Sequence, residues 1–200
     1  PRGLSLDRIV FSPTLIVASG ASALDFDRTD RPATVQFVGE LAVTPTAPAP
    51  LPEWWADLDG RRVVLVTQGT LNLDPEDLIR PALTALEGQD LIVVATTGVR
   101  GRDEFPFPVP ANARVAGFVP FAELLPRVDL VITNGGWGGT IAALAHGIPL
   151  VVGGGDLDKP EVAGRVAFSG AGVNLRTGRP TPAAIGAAVD RVRSEASFRV

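Results

Sequence analysis

Residues Val131–Arg165 read V-I-T-N-G-G-W-G-G-T-I-A-A-L-A-H-G-I-P-L-V-V-G-G-G-D-L-D-K-P-E-V-A-G-R, and this stretch decides the fold. It reads as strand, glycine turn, helix, strand, glycine turn, helix. Two glycine-rich turns thus sit at the carboxyl ends of two parallel strands, and in an open α/β sheet that edge is where ligands bind. The first turn opens a helix at about Gly138, so unpaired N–H groups and the helix dipole face whatever occupies it. The second carries Asp158 and Lys159, polar groups able to fix a ligand's orientation.

Outward from this stretch the same alternation repeats. Val63–Thr67 predicts a buried strand, followed by the turn Q-G-T-L-N-L-D-P-E. Asp74 and Pro75 are suitable cap and first-turn residues for a helix to about Leu86. Leu91–Thr96 and Arg114–Ala116 predict further strands, with a long proline-bearing loop from Gly98 to Asn112 between them. Pro120–Leu125 predicts a short helix. Asp129–Thr133 and Pro149–Val152 are the strands of the opening stretch, and Gly172–Leu175 follows as a sixth. Helices are expected over Gly138–His146, closed by Gly147, over Pro160–Ser169, and from a Thr181–Pro182 start to about Ser194. Strands alternating with helices predict an α/β, Rossmann-like parallel sheet with helices on both faces. Right-handed crossovers then bring all the strand-to-helix turns to one rim.

The amino-terminal part is different. Ile9–Ala18, interrupted by Pro13, predicts one or two short edge strands, and Val35–Val38 another, ending at Gly39. Thr44–Pro52, T-P-T-A-P-A-P-L-P, is extended and packs poorly. It reads as a linker between domains, or as a long surface loop within one. The expected division is a remnant or edge of a preceding unit at 1–43, a linker at 44–52 and a domain at 53–200. Glu53, Trp54 and Trp55 start a short helix, the tryptophans serving packing.

Composition narrows the function classes. The chain of 200 residues is 46% hydrophobic and 20% charged, as expected for a globular protein with a sizeable core. Its net charge of -4 argues against a nucleic-acid partner. No apolar run approaches the ~20 residues of a membrane span, and no signal-peptide pattern appears. The absence of cysteine rules out disulfides and thiolate metal sites and fits a cytoplasmic location. His146 is the only histidine, which excludes a multi-histidine metal site, and its place at a helix end suits a terminal cation better than a base. With no methionine, Pro1 is expected to mark a fragment boundary. Arginine, alanine, glycine and proline abundance suggests a GC-rich, bacterial coding genome. Lys159 stands out as the only lysine.

Several residues on the rim are candidates for chemistry. Gly135, Gly136, Gly138 and Gly139 surround Trp137 after a buried strand, and a diphosphate is the natural occupant of the helix start they form; the alternative is a turn built for packing. The pattern is neither the dinucleotide fingerprint nor a phosphate-binding P-loop. Gly69 and Thr70 form a second turn that offers N–H groups and a hydroxyl to phosphate, or a plain turn. Lys159 suits phosphate as a point charge, and Asp158 suits sugar hydroxyls; a solvated pair capping a helix is the alternative. Asp156 and Asp158 form a D-x-D, but two carboxylates without a third ligand make a poor metal site. Glu161 and Arg165 are an i, i+4 pair of structural character. Phe118 suits stacking on a base, or burial.

Together these motifs resemble the donor-binding half of the GT-B glycosyltransferases, in the UDP-glucosyl/glucuronosyl and macrolide glycosyltransferase superfamily. The resemblance is carried by G-F-V-P-F-A-E-L-L-P-R-V-D-L-V-I-T-N-G-G-W-G-G-T-I-A-A-L-A-H-G-I-P-L-V-V and the later D-K-P. It extends back to V-T-Q-G-T and forward to G-A-G-V-N-L, covering about residues 40–195. It implies that Phe118 and Val119 hold a uracil or thymine base. It implies that Asn134, Gly135, Gly136, Trp137, Gly138, Gly139 and Thr140 face the donor diphosphate, with Gly69 and Thr70 opposite. It implies that Asp158 and Lys159 contact the sugar. Residues 1–43 resemble the last strand region of the family's acceptor domain.

Three departures matter. Asn134 replaces a histidine, Lys159 replaces a glutamine, and Ala142 stands where many relatives carry a glutamate for the ribose hydroxyls. One reading is compensation, the charge absent at 134 being regained at 159. The family's catalytic base is a histidine of the amino-terminal domain, so no catalytic residue is expected in this chain. The implied function is donor binding in an inverting transfer of sugar from a UDP- or TDP-sugar to a small-molecule hydroxyl, in natural-product or detoxification chemistry, without a metal or cofactor. The alternative is a nucleotide-binding or regulatory module that has lost catalysis. An NAD-dependent oxidoreductase is disfavoured by the missing fingerprint and ribose acid.

Overall fold

The computed structural model describes residues 12–41, 50–72 and 74–198. Most of the predicted linker and the first part of the Ile9–Ala18 strand lie outside the described residues.

Six parallel strands form the main sheet: β3 (Val63–Thr67), β4 (Ile92–Thr96), β5 (Ala113–Ala116), β6 (Leu130–Thr133), β7 (Leu150–Val152) and β8 (Gly172–Asn174), in the order β5-β4-β3-β6-β7-β8. Every residue of β3, β4, β6 and β7 is buried, as a strand covered on both faces requires. The period of two divides each strand between two cores. Val64, Val66 and Ile132 meet α1 (Ile79–Leu86) and α5 (Pro182–Ser194) on one face. Leu65, Val94 and Val131 meet the other core. That core is covered by α2 (Phe121–Leu124), α3 (Trp137–Ala145), α4 (Lys159–Phe168) and the 3₁₀ turn Glu53–Leu58. Trp54 and Trp55 pack against it, and Trp54 Nε1 donates to the Val115 carbonyl at 3.1 Å.

The strand order reverses between β3 and β6, so the turns after those two strands diverge and leave a crevice. The helix ends follow local chemistry. Gly147 turns the chain out of α3 with φ +68°. The Thr181 hydroxyl caps α5 by accepting from the Ala184 N–H at 3.2 Å, with Pro182 in its first turn.

One helix start differs from the sequence reading by several residues. The helix expected to start at Asp74–Pro75 begins at Ile79, and residues 75–78 form turns. Gln68 is the reason. Its Oε1 accepts from the N–H groups of Leu78 and Ile79 at 3.1 and 2.9 Å, and its Nε2 donates to the Asp74 carbonyl at 2.8 Å. A buried glutamine from the end of β3 therefore caps α1, and Asp74 is left to bond Glu76 N–H at 3.0 Å.

The amino-terminal residues form a separate two-stranded parallel sheet, β1 (Ile16–Ala18) with β2 (Val35–Phe37). The segment between them lies on α4. Arg165 bonds Asp25 at 2.5 Å and Glu161 at 2.7 Å, and Phe26 meets Phe168 edge-on with ring centroids 5.3 Å apart. The predicted Glu161–Arg165 pair is present and reaches a third partner.

Candidate donor-binding site

The crevice at the strand-order reversal holds a cavity of about 330 Å³. Its floor is three threonines at the ends of neighbouring strands: Thr67, Thr96 and Thr133. Thr96 and Thr67 share a hydrogen bond of 3.0 Å, and Thr133 Oγ1 accepts from the Gly135 N–H at 3.3 Å. The walls bring together residues as far as 70 positions apart in sequence. Gly69 and Thr70 come from the turn after β3, Phe118 and Val119 from that after β5, and Asn134, Gly136 and Gly139 from that after β6.

The diphosphate candidates divide. Gly136 is the N-cap of α3 and no side chain caps that end, so the first-turn N–H groups at Trp137, Gly138 and Gly139 stay open to a ligand. Gly135 has φ +85°, and a Cβ there would stand 2.9 Å from Val152 Cγ1 and 3.3 Å from the Lys159 carbonyl. Only glycine lets the turn lie this close to α4. Gly138 is exposed. Trp137 leans away, its ring 3.0 Å from the Cβ position of Gly20 in the amino-terminal segment. Thr140 is fully buried, and its hydroxyl has no hydrogen-bond partner among the described residues. It does not line the cavity.

Asn134 is buried, and both ends of its amide are engaged. Nδ2 donates to the Gln68 carbonyl, and Oδ1 accepts from the Gly136 N–H at 3.3 Å. The side chain therefore ties the turn after β3 to the turn after β6. Gln68, unremarked in the sequence, completes this tie and caps α1. No local pattern announces it, because its partners lie ten and eleven residues on.

Phe118 is 47% exposed, so its ring is presented and not buried. The guanidinium of Arg100 lies over it, 4.1 Å from the ring centroid. Arg100 belongs to the turn after β4 and is a second residue that sequence reading did not single out. Val119 is buried, leaving its main chain as the contacting part.

Asp158 and Lys159 part company. Asp158 is exposed, occupies the N-cap of α4 without a side-chain cap bond, and lines neither this cavity nor its neighbour. Lys159 is buried; its Nζ bonds Asp156 at 2.9 Å and lines a second cavity that shares Asn134 with the first. Asp156 of the D-x-D is thus an ion-pair partner. Among the described residues no group of three acidic, histidine or cysteine side chains could hold a metal. His146 sits at the C-cap of α3 on the opposite end of the sheet. Ala142 is buried within α3. Among the described residues no helix is long and apolar enough to cross a membrane.

A six-stranded parallel sheet with glycine turns meeting at its topological switch point is a Rossmann-like α/β architecture, and the comparisons with known proteins place it among the GT-B glycosyltransferases. Residues 81–200 match the model of the Erythromycin biosynthesis protein CIII-like, C-terminal domain, and the chain belongs to that family. It is 46% identical over 199 residues to 4′-demethylrebeccamycin synthase of Lentzea aerocolonigenes, covering 98% of this chain and 46% of that protein. It is 38% identical over 201 residues to UDP-glucosyltransferase B1 of Starmerella bombicola, covering 96% and 46% respectively. Among solved structures, the spinosyn rhamnosyltransferase SpnG superposes with TM-score 0.76 at 25% identity, over 94% of this chain and 50% of that one. The chain spans about half the length of the curated relatives it matches.

Proposed function

We propose that this chain binds the nucleotide-sugar donor in a glycosyltransferase that moves a sugar from a UDP- or TDP-sugar to a hydroxyl of a small-molecule acceptor. The observation that carries the reading is the cavity at the strand-order reversal, where Phe118 meets Gly69 and Thr70 from one turn and Asn134, Gly136 and Gly139 from another. The base stacks on Phe118 and meets the main chain of Val119. The diphosphate lies over Gly69, Thr70 and the open N-terminus of α3, with Asn134 holding the two turns in register. Lys159 serves the sugar and its phosphate, and Asp158, exposed at the N-cap of α4, reaches them from the solvent side.

The acceptor hydroxyl loses its proton to a base on a preceding acceptor domain, to which residues 1–43 belong as an edge and 44–52 as the linker. Its oxygen bonds to the anomeric carbon as the bond from that carbon to the diphosphate oxygen breaks. A single displacement of this kind inverts the anomeric centre, and the nucleoside diphosphate carries away the electron pair. N–H groups aimed at the departing oxygens stabilise the charge that develops there. Neither a metal nor a cofactor is called for, and the setting is that of a bacterial, cytoplasmic natural-product enzyme.

Calorimetric titration of the chain with UDP, TDP and NADH tests the reading. Binding of UDP or TDP, without sugar transfer by the chain alone, is the expected result. Binding of NADH and neither pyrimidine nucleotide would overturn it.

A further inference from the structure

Within the run Gly135–Gly139, which forms the turn after β6 and the first residues of α3, Trp137 alone has a side chain beyond the backbone. Glycines leave such a run free to adopt many conformations. Its first two N–H groups are steadied by bonds of 3.3 Å to Thr133 Oγ1 and Asn134 Oδ1, and the helix start beyond them has no side-chain cap. Whatever seats the indole of Trp137 therefore goes far to order the run.

The seat is the amino-terminal segment. A Cβ at Gly20 would stand 3.0 Å from Trp137 Cζ2 and 3.4 Å from Ile141 Cδ1. The Gly20 main chain thus rests on a ridge of two side chains at i and i+4 of α3. Gly20 is fixed in turn, since it exchanges hydrogen bonds of 2.8 and 2.9 Å with Gly39. Further along, Asp25 is bonded by Arg165 and Arg31, and the Phe26 ring comes within 3.6 Å of the Cβ position of Gly164. One segment therefore lies across α3 and α4. It touches the run at Trp137, is clamped at Asp25, and contributes no residue to the cavity.

We infer that Trp137 is a positioning residue: its indole, seated on Gly20, orders the glycine run whose N–H groups face the donor diphosphate, so that nucleotide binding and docking of the amino-terminal segment support each other. The inference rests on the donor-binding reading. Its physical basis is that one residue serves both contacts. The main chain of Trp137 belongs to the open end of α3, and its ring belongs to the contact with the segment. Ordering either side reduces the conformational entropy that the other must lose. Such coupling is reciprocal. A change at Asp25 reaches the nucleotide, and the nucleotide reaches Gly20 and Gly39. With residues 1–43 assigned to the acceptor domain, the donor is held most tightly when the two units are docked.

Calorimetry at pH 7 with UDP and TDP tests this on the parent chain, Asp25→Asn, Trp137→Ala, Trp137→Phe and the double variant Asp25→Asn/Trp137→Ala. Asp25→Asn, outside the cavity, should weaken nucleotide binding about fivefold or more. Trp137→Ala should do the same, and Trp137→Phe should recover part of the loss. The double variant should bind no more weakly than Trp137→Ala, because the path from Asp25 is already cut. Amide exchange gives a second reading: UDP or TDP should slow exchange at Gly20 and Gly39 in the parent chain and leave it unchanged in Trp137→Ala. Nucleotide affinity unmoved by Asp25→Asn, additive losses in the double variant, or exchange at Gly20 and Gly39 indifferent to nucleotide in the parent chain would overturn the inference and leave the donor-binding reading standing. Failure of both UDP and TDP to bind the parent chain would overturn both.

Discussion

Asn134 and Gln68 show how two amides can govern a site. Asn134 spends its donor on the Gln68 carbonyl and its acceptor on Gly136, so its contribution is to spacing between turns. Asn134→Ala should cost about 1–3 kcal/mol, because a buried carbonyl loses its partner; urea unfolding measures it. Asn134→Asp keeps the acceptor, loses the donor and adds a negative charge beside the proposed diphosphate. Its nucleotide affinity should therefore fall further than that of Asn134→Ala, as read by calorimetry. Gln68→Leu strips the caps from Leu78 and Ile79 together, and should destabilise the chain by about 1–3 kcal/mol or more, with loss of helical circular dichroism from α1. Neither role could be read from the sequence. The resemblance pointed Asn134 at a ligand, and only the folded chain shows that a carbonyl 66 positions away claims its amide first.

At the scale of elements, the contact between α4 and the amino-terminal segment carries a charge-dependent lock. Asp25 is buried, and its carboxyl is held below the ordinary carboxylate range by the hydrogen bond from Arg165, with Arg31 adding to it. A carboxyl whose folded value is depressed stabilises the folded state above its unfolded value, about pH 4. That stabilisation disappears as pH falls through the folded value. Melting temperatures of the parent chain and Asp25→Asn should therefore differ at pH 7 and converge as pH falls below about 4. A gap of constant size over that range would exclude the lock. The elements themselves were mostly legible in advance. Unbroken apolar runs between glycine and proline turns allow little but buried strands, and Thr181–Pro182 marks a helix start by its own chemistry. The start of α1 was not legible, since the cap at Asp74 competes with Gln68, a residue local patterns do not weigh. Asp158 and Lys159 part for a related reason. Adjacency in sequence suggested a joint role with Lys159, but at a helix start neighbouring side chains leave in different directions, one inward and one to solvent.

For the whole molecule, the binding rim was predictable because parallel strands with right-handed crossovers leave no other place for their turns. The division of that rim into two cavities was not, since it depends on which turns touch. The strand order has a consequence of its own. β3 is the first strand of the main sheet in the chain, yet it lies inside it, flanked by β4 and β6, while β5 and β8 form the margins. Local opening should peel the sheet inward from both margins and reach β3 last. In heavy water, the amides of Val64–Val66 should keep their protons longest, at a rate set by global unfolding. Those of β5 and β8 should exchange orders of magnitude sooner, so the crevice would sit on the slowest-opening part of the protein while its outer walls breathe.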